Sequence, residues 1–174
     1  DLPFITQKCE LLSLPYHFDN FRGIDLYKRI SPYRYFLKLP SCKQKVLEQF
    51  LGVTRKDVFT ASELIGVYLD YVKNPSEFSE NALFLHNAED LKGMLEILPM
   101  LAYYDLFNQP VKVRKAQANS YKDLNGNRRR ELILMFNPDI PLPRPVSANV
   151  NNCFFRGEGT ECTLKIPIYE EELK

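Results

Sequence analysis

Seven basic residues fall between positions 112 and 130: Lys112, Arg114, Lys115, Lys122, Arg128, Arg129 and Arg130. Only Asp123 opposes them, a local balance of +6 in a chain whose net charge is +1. The chemistry that suits such a cluster is phosphate binding, because each Lys or Arg that neutralises a phosphate releases condensed counterions. Asn125-Gly126 lies between the two arms of the cluster and predicts a hairpin, since both residues tolerate the positive φ of a type I′ turn. On a two-stranded ribbon alternate residues share a face, which would align Lys112 and Arg114 with Arg128 or Arg130 across the pair. The competing use of these charges is to solvate an edge strand and keep it from pairing with another chain. Tyr121 is the one aromatic residue among them, too few for a stacking platform.

The other reactive side chains form no local signature. His17 and His86, the two histidines, sit in no metal-ligand spacing and beside no nucleophile motif. Asp57, Glu63, Asp70, Glu89 and Asp90 fall on expected helix caps and faces, where the helix dipole and water account for them. Cys9, Cys42, Cys153 and Cys162 contain no CxxC pair, which argues against zinc and redox sites. They read as reduced thiols of an intracellular protein, with a Cys153–Cys162 disulfide as the alternative. Pro138 to Pro145 contains one PxxP, either a groove-binding segment or a strap over its own domain. These residues predict no catalytic site, no cofactor and no metal.

The elements that would position such residues fit one domain of 174 residues, 45% hydrophobic and 26% charged. No apolar run approaches a membrane span, no signal peptide is visible, and the expected location is nuclear or cytoplasmic. Seven glycines leave little room for phosphate-cradling loops. Residues 1–40, interrupted by Pro3, Pro15, Pro32 and Pro40, predict only short helices. Ser41 to Gln44 has capping-box spacing before a helix at 42–51, which Gly52 ends. Thr60 to Glu63 is a second capping box, opening a helix over 61–73. Ala82 to Leu85 has strand length, and Asn87 would begin a third helix whose stripe Leu91, Met94, Leu95 and Leu98 faces the core. Met100 to Phe107 would continue the helical part. Strands follow near 111–122, 128–136, 153–155 and 162–169, with 137–146 extended, a turn at Gly157 to Gly159 and a solvated tail at Glu170 to Glu172.

Residues 41–110 resemble the SWIB domain, a helical module of chromatin-remodelling subunits and ligatin-type translation initiation factors. The matching residues are Phe50-Leu51-Gly52-Val53-Thr54, Phe59 to Leu69 leading to Tyr71-Val72-Lys73, Leu83-Phe84-Leu85, and Asp90-Leu91-Lys92 with Met94-Leu95. Asn74-Pro75-Ser76-Glu77 departs from that family's turn. The resemblance implies a hydrophobic cleft for a partner helix, lined by Leu64, Tyr68, Met94, Leu98 and Tyr104. The resulting expectation is an α+β fold: a mainly helical interaction domain at 1–110, then a β-rich extension at 111–174 that begins with the basic hairpin. Its expected role is a non-enzymatic interaction or scaffolding module with a protein partner in a nuclear or translational assembly. One alternative is an RNA- or DNA-binding module using the hairpin, and a second is an enzyme with dispersed catalytic residues.

Overall fold

A computed structural model describes residues 2–169, and the expected solvated tail at Glu170 to Glu172 lies outside them. The fold is α+β, helices first and then a five-stranded antiparallel sheet. The helices are α1 (Leu2–Leu11), α2 (Leu26–Ile30), α3 (Gln44–Leu51), α4 (Ala61–Lys73), α5 (Glu77–Glu96) and α6 (Leu101–Asn108), with 3₁₀ turns at Ser31–Tyr33 and Leu98–Met100. The strands are β1 (Lys112–Lys122), β2 (Arg128–Asn137), β3 (Leu142–Val150), β4 (Cys153–Gly159) and β5 (Glu161–Ile168). Their order across the sheet is β1-β2-β5-β4-β3.

The Thr60 capping box forms as expected, with Glu63 accepting the Thr60 amide at 2.6 Å and Thr60 Oγ1 accepting the Glu63 amide at 3.3 Å. Gly52 ends α3 at φ +83°, the left-handed geometry a C-terminal glycine permits. The Ser41 box does not form, because α3 starts at Gln44 with Lys43 as its cap and no side chain bonding there. Ala82 to Leu85 is not a strand. Ser76 caps α5 by accepting the Ser79 amide at 3.2 Å, and no Gly or Pro interrupts the chain before Gly93, so the helix runs through both that segment and Asn87. Pro143 and Pro145 lie within β3, which is an edge strand and irregular between Leu142 and Val146, where a missing N–H costs no ladder bond. Gly157 and Glu158 belong to β4, so the turn into β5 falls at Gly159, φ +52°, and Thr160.

One core joins the helices to one face of the sheet. Ile30, Leu37, Leu47, Met100 and Tyr103 pack with Phe136, Leu142, Val146, Phe155 and Cys162. Tyr103 Oη donates to the Arg144 carbonyl at 2.7 Å and accepts the Arg144 amide at 3.0 Å, pinning α6 to β3. Burial lifts the Tyr103 phenol to about 12, despite the hydrogen bonding with Arg144 that opposes it. The stripe Leu91, Met94, Leu95 and Leu98 is not core: these side chains are 41–69% exposed. α5 meets α3 through Gly93 instead, where a Cβ would stand 1.9 Å from Glu48 Oε1. All four cysteines are free.

Candidate functional site

The helical half gathers a charged cluster that sequence spacing did not show. It forms where α3, the loop 53–60 and α5 meet. Arg55 from the loop reaches Glu48 of α3 with Nε at 2.5 Å from Oε2 and Nη2 at 2.6 Å from Oε1, a two-pronged pairing. Its Nη1 lies 2.6 Å from Asp90 Oδ1 on α5. Glu48 is buried, and Gln44 Nε2 donates both to its Oε1 at 2.9 Å and to the Asp90 carbonyl at 2.8 Å. Hydrogen bonding with Arg55, above all, holds the Glu48 carboxyl below its ordinary range, and the same contact with Glu48 is the main reason the Arg55 guanidinium is the more firmly protonated.

Asp57 is the buried centre of the cluster, its side chain 1% exposed. His86 Nδ1 stands 2.6 Å from Asp57 Oδ2, Lys45 Nζ donates to the same oxygen at 3.1 Å, and the Phe59 amide donates to Oδ1 at 2.9 Å. Burial alone would raise this carboxyl, but the hydrogen bonds from His86, the Phe59 amide and Lys45 outweigh it and hold it at about 2. On its other edge, His86 Nε2 stands 3.3 Å from Asp90 Oδ2, one helical turn along α5. Glu89 closes the loop by accepting the Asp57 amide at 2.8 Å and the Lys56 amide at 2.9 Å, which lowers its own affinity for a proton. The result is an imidazole held between a buried and a more exposed carboxylate, in which Asp57 can fix the proton on Nδ1 and leave Nε2 toward Asp90. The signal for this site was the His86–Asp90 spacing of four, which has meaning only on a helix. A strand at 82–85 hid it.

The donor set here does not fit a divalent cation. Glu48, Asp57 and Asp90 each face a cationic side chain, and among the described residues no three His, Cys, Asp or Glu side chains converge on a common point.

The basic hairpin forms with the expected strands, but its register divides the cations into two groups. Lys112 pairs with Asn137, whereas Lys122 pairs with Arg128, Tyr121 with Arg129 and Ser120 with Arg130. Ten residues of strand, about 34 Å, therefore separate Lys112 from the tip, and the expected alignment of Lys112 and Arg114 with Arg128 or Arg130 does not occur. A bulge between Val113 and Lys115 leaves Arg114 unpaired in register, and its Nη1 donates to Asn137 Oδ1 at 2.9 Å. At the tip, Asp123 accepts Arg129 Nε at 2.9 Å and the amides of Asn125 and Asn127, so its charge is committed to the turn. Hydrogen bonding with Arg129, first of all, keeps that carboxyl ionised below its usual range.

The five residues expected to line a partner cleft occupy different settings. Leu64 on α4 is buried, whereas Tyr68 on α4, Met94 on α5 and Leu98 in the following 3₁₀ turn are exposed. Tyr104 on α6 packs against α2, with the Arg29 guanidinium 4.3 Å above its ring and Tyr33 at its edge.

A family model described as RNase_H superfamily matches residues 1–102, more than half of the chain. The protein belongs to that superfamily. No curated protein and no solved structure matches the chain. The match covers all of α1 to α5 and ends at the start of α6, so the charged cluster lies inside it and the sheet outside it. It replaces the SWIB resemblance, which rested on core positions shared by many helical arrangements. It also overturns the expectation of a non-enzymatic scaffold in a chromatin, transcription or translation assembly, because this superfamily points to a nuclease. Among the described residues no helix is long and apolar enough to cross a membrane.

Proposed function

We propose that the protein is a nucleic-acid-processing enzyme of nuclease type, in which the basic hairpin holds the phosphate backbone and the cluster around His86 serves hydrolysis. The superfamily match over residues 1–102 is the observation that carries this reading. The hairpin supports it with Lys122, Arg128, Arg129 and Arg130 at one exposed tip, and with Lys112, Arg114 and Lys115 at the base of β1. Contacts of this kind read charge and not sequence, so the hairpin positions a backbone without selecting bases.

In the cluster, Asp57 orients His86 and Asp90 is the more exposed carboxylate, its side chain 42% accessible. In this reading His86 takes a proton at Nε2, as a general base in phosphodiester hydrolysis, from a water that displaces Asp90 Oδ2, which stands 3.3 Å from that nitrogen. The test is binding and cleavage of labelled RNA and DNA by wild type, by His86→Gln and by Arg128→Ala/Arg129→Ala/Arg130→Ala. The reading expects His86→Gln to bind normally and cleave poorly, and the triple variant to bind poorly. A protein that neither binds nor cleaves any nucleic acid contradicts it.

A further inference from the structure

The face of the sheet that meets the helices is covered over only part of its length. Strand alternation places Ala116 and Ala118 of β1, Leu132 and Leu134 of β2, and Leu164, Ile166 and Ile168 of β5 on the same face as the core residues Phe136 and Cys162. Leu132, Leu134, Leu164, Ile166 and Ile168 are half-buried, and Ala116 and Ala118 are exposed. Over these residues the strip is apolar. Where it meets the helices it opens into a cavity of about 510 Å³ walled by Tyr33, Phe36, Phe107 and Phe155, with Leu134 and Leu164 among its floor residues. The Tyr33 and Phe107 rings are stacked 4.9 Å apart, and Phe107 is 44% exposed.

The other end of the same strip is cationic. Continuing the alternation past Ala118 and Leu132 brings Ser120 opposite Arg130 and then Lys122 opposite Arg128, all on this face. Like charges placed directly across a strand pair cost stability, and Asp123 of the turn is engaged by Arg129, whose register partner Tyr121 puts it on the opposite face. Lys122 and Arg128 therefore face one another with an anion as the complement that would offset them. Arg130 lies about 14 Å along β2 from Leu134, four residues away.

We infer that this face is a single-strand groove: phosphates lie on Lys122 and Arg128, and unpaired bases lie on the apolar strip, with one base entering the aromatic-walled cavity. The inference rests on the nucleic-acid reading above and adds the substrate class to it. A duplex presents its phosphates but keeps its bases stacked inside, so it could use the cationic end alone. Recognition in the groove is by stacking and apolar contact, which every base offers, so the groove is indifferent to sequence.

Fluorescence anisotropy with labelled oligothymidylate and with a blunt DNA duplex, titrated against wild type and Ala116→Gln/Ala118→Gln, tests it. Both substituted positions are exposed on an edge strand, and the change leaves the net charge as it was. The groove predicts that wild type prefers the single strand. It further predicts that the double variant loses about tenfold in single-strand affinity, the scale of one base's stacking, with its salt dependence and duplex affinity unaltered. Retained duplex affinity also shows that the variant is folded. Equal binding of the two nucleic acids by wild type, or no single-strand loss in the variant, overturns the groove and leaves the cationic tip standing. Displacement of the oligonucleotide from the strip by oleate or by an acidic amphipathic peptide, at lower concentration than unlabelled oligothymidylate requires, overturns it in favour of that occupant. No binding of either nucleic acid removes the groove together with the function proposed above.

Discussion

His86 Nδ1 and Asp57 Oδ2 stand 2.6 Å apart across the junction of α5 with the loop 53–60, and Asp57 is almost sealed from water. The loop has no regular structure of its own between Val53 and Thr60. Its position against α5 depends on this contact, on Arg55 with Glu48 and Asp90, and on the amides that Glu89 accepts. Replacing Asp57 by Ala leaves Lys45 and His86 without their shared acceptor. It is expected to destabilise the fold by about 3 kcal/mol, the usual cost of breaking a buried charged network, measured by urea unfolding.

The same carboxylate sets an acid limit on stability. Asp57 titrates at about 2 in the folded chain against an ordinary value of 3.8. A depressed folded value stabilises the protein above the unfolded pKa, and that stabilisation is lost as pH falls toward the folded one. Unfolding free energy is therefore expected to fall by about 2 kcal/mol between about pH 4 and pH 2 through this group. Asp57→Asn should show a shallower acid slope over that window, and an unchanged slope contradicts the assignment.

Gly93 is the point where α5 presses on α3. A methyl group there would collide with Glu48 Oε1 at 1.9 Å and Gln44 Nε2 at 2.7 Å, the two side chains that fix Arg55 and the Asp90 carbonyl. Gly93→Ala, which favours a helix on propensity alone by about 1 kcal/mol, is expected to destabilise instead, by about 1 to 3 kcal/mol through overpacking. A thermal melt with a raised midpoint would refute the close approach.

Tyr103 is the hinge pin between the helical half and the sheet. Tyr103→Phe keeps the ring but strands the Arg144 amide and carbonyl, at a cost of about 1 to 3 kcal/mol. Because the phenol titrates near 12 in the fold, up from 10.0, stability should also fall as pH rises above about 10, and this alkaline slope should be shallower in Tyr103→Phe.

These features differ in how far sequence reasoning could reach them. The Thr60 box, the Gly52 stop and the Asn125-Gly126 hairpin each rest on contacts within a few residues, so local chemistry disclosed them. Glu48, Arg55 and Asp57 are near one another in sequence, but His86 and Asp90 join them only after α5 packs against α3 and the loop. Their positions carry no common spacing. His86 and Asp90 are local, but the apolar run Ala82 to Leu85 suggested a strand, and the uninterrupted helix from the Ser76 cap overrode it. The stripe Leu91, Met94, Leu95 and Leu98 had core periodicity yet stays exposed, because α5 turns Gly93 toward its neighbour. In the hairpin the turn was legible but the register was not, since the bulge at Val113 to Lys115 depends on pairing along the whole ribbon.

The claim that the cationic tip engages a phosphate backbone is tested most directly by the salt dependence of binding. The tip carries four cations, Lys122, Arg128, Arg129 and Arg130, of which Arg129 is paired with Asp123. If all four contact phosphates of a single strand, log affinity against log salt should have a slope near about −3, and Arg128→Ala/Arg129→Ala/Arg130→Ala should flatten it by about 2. A triple variant with the affinity and slope of wild type would contradict the account.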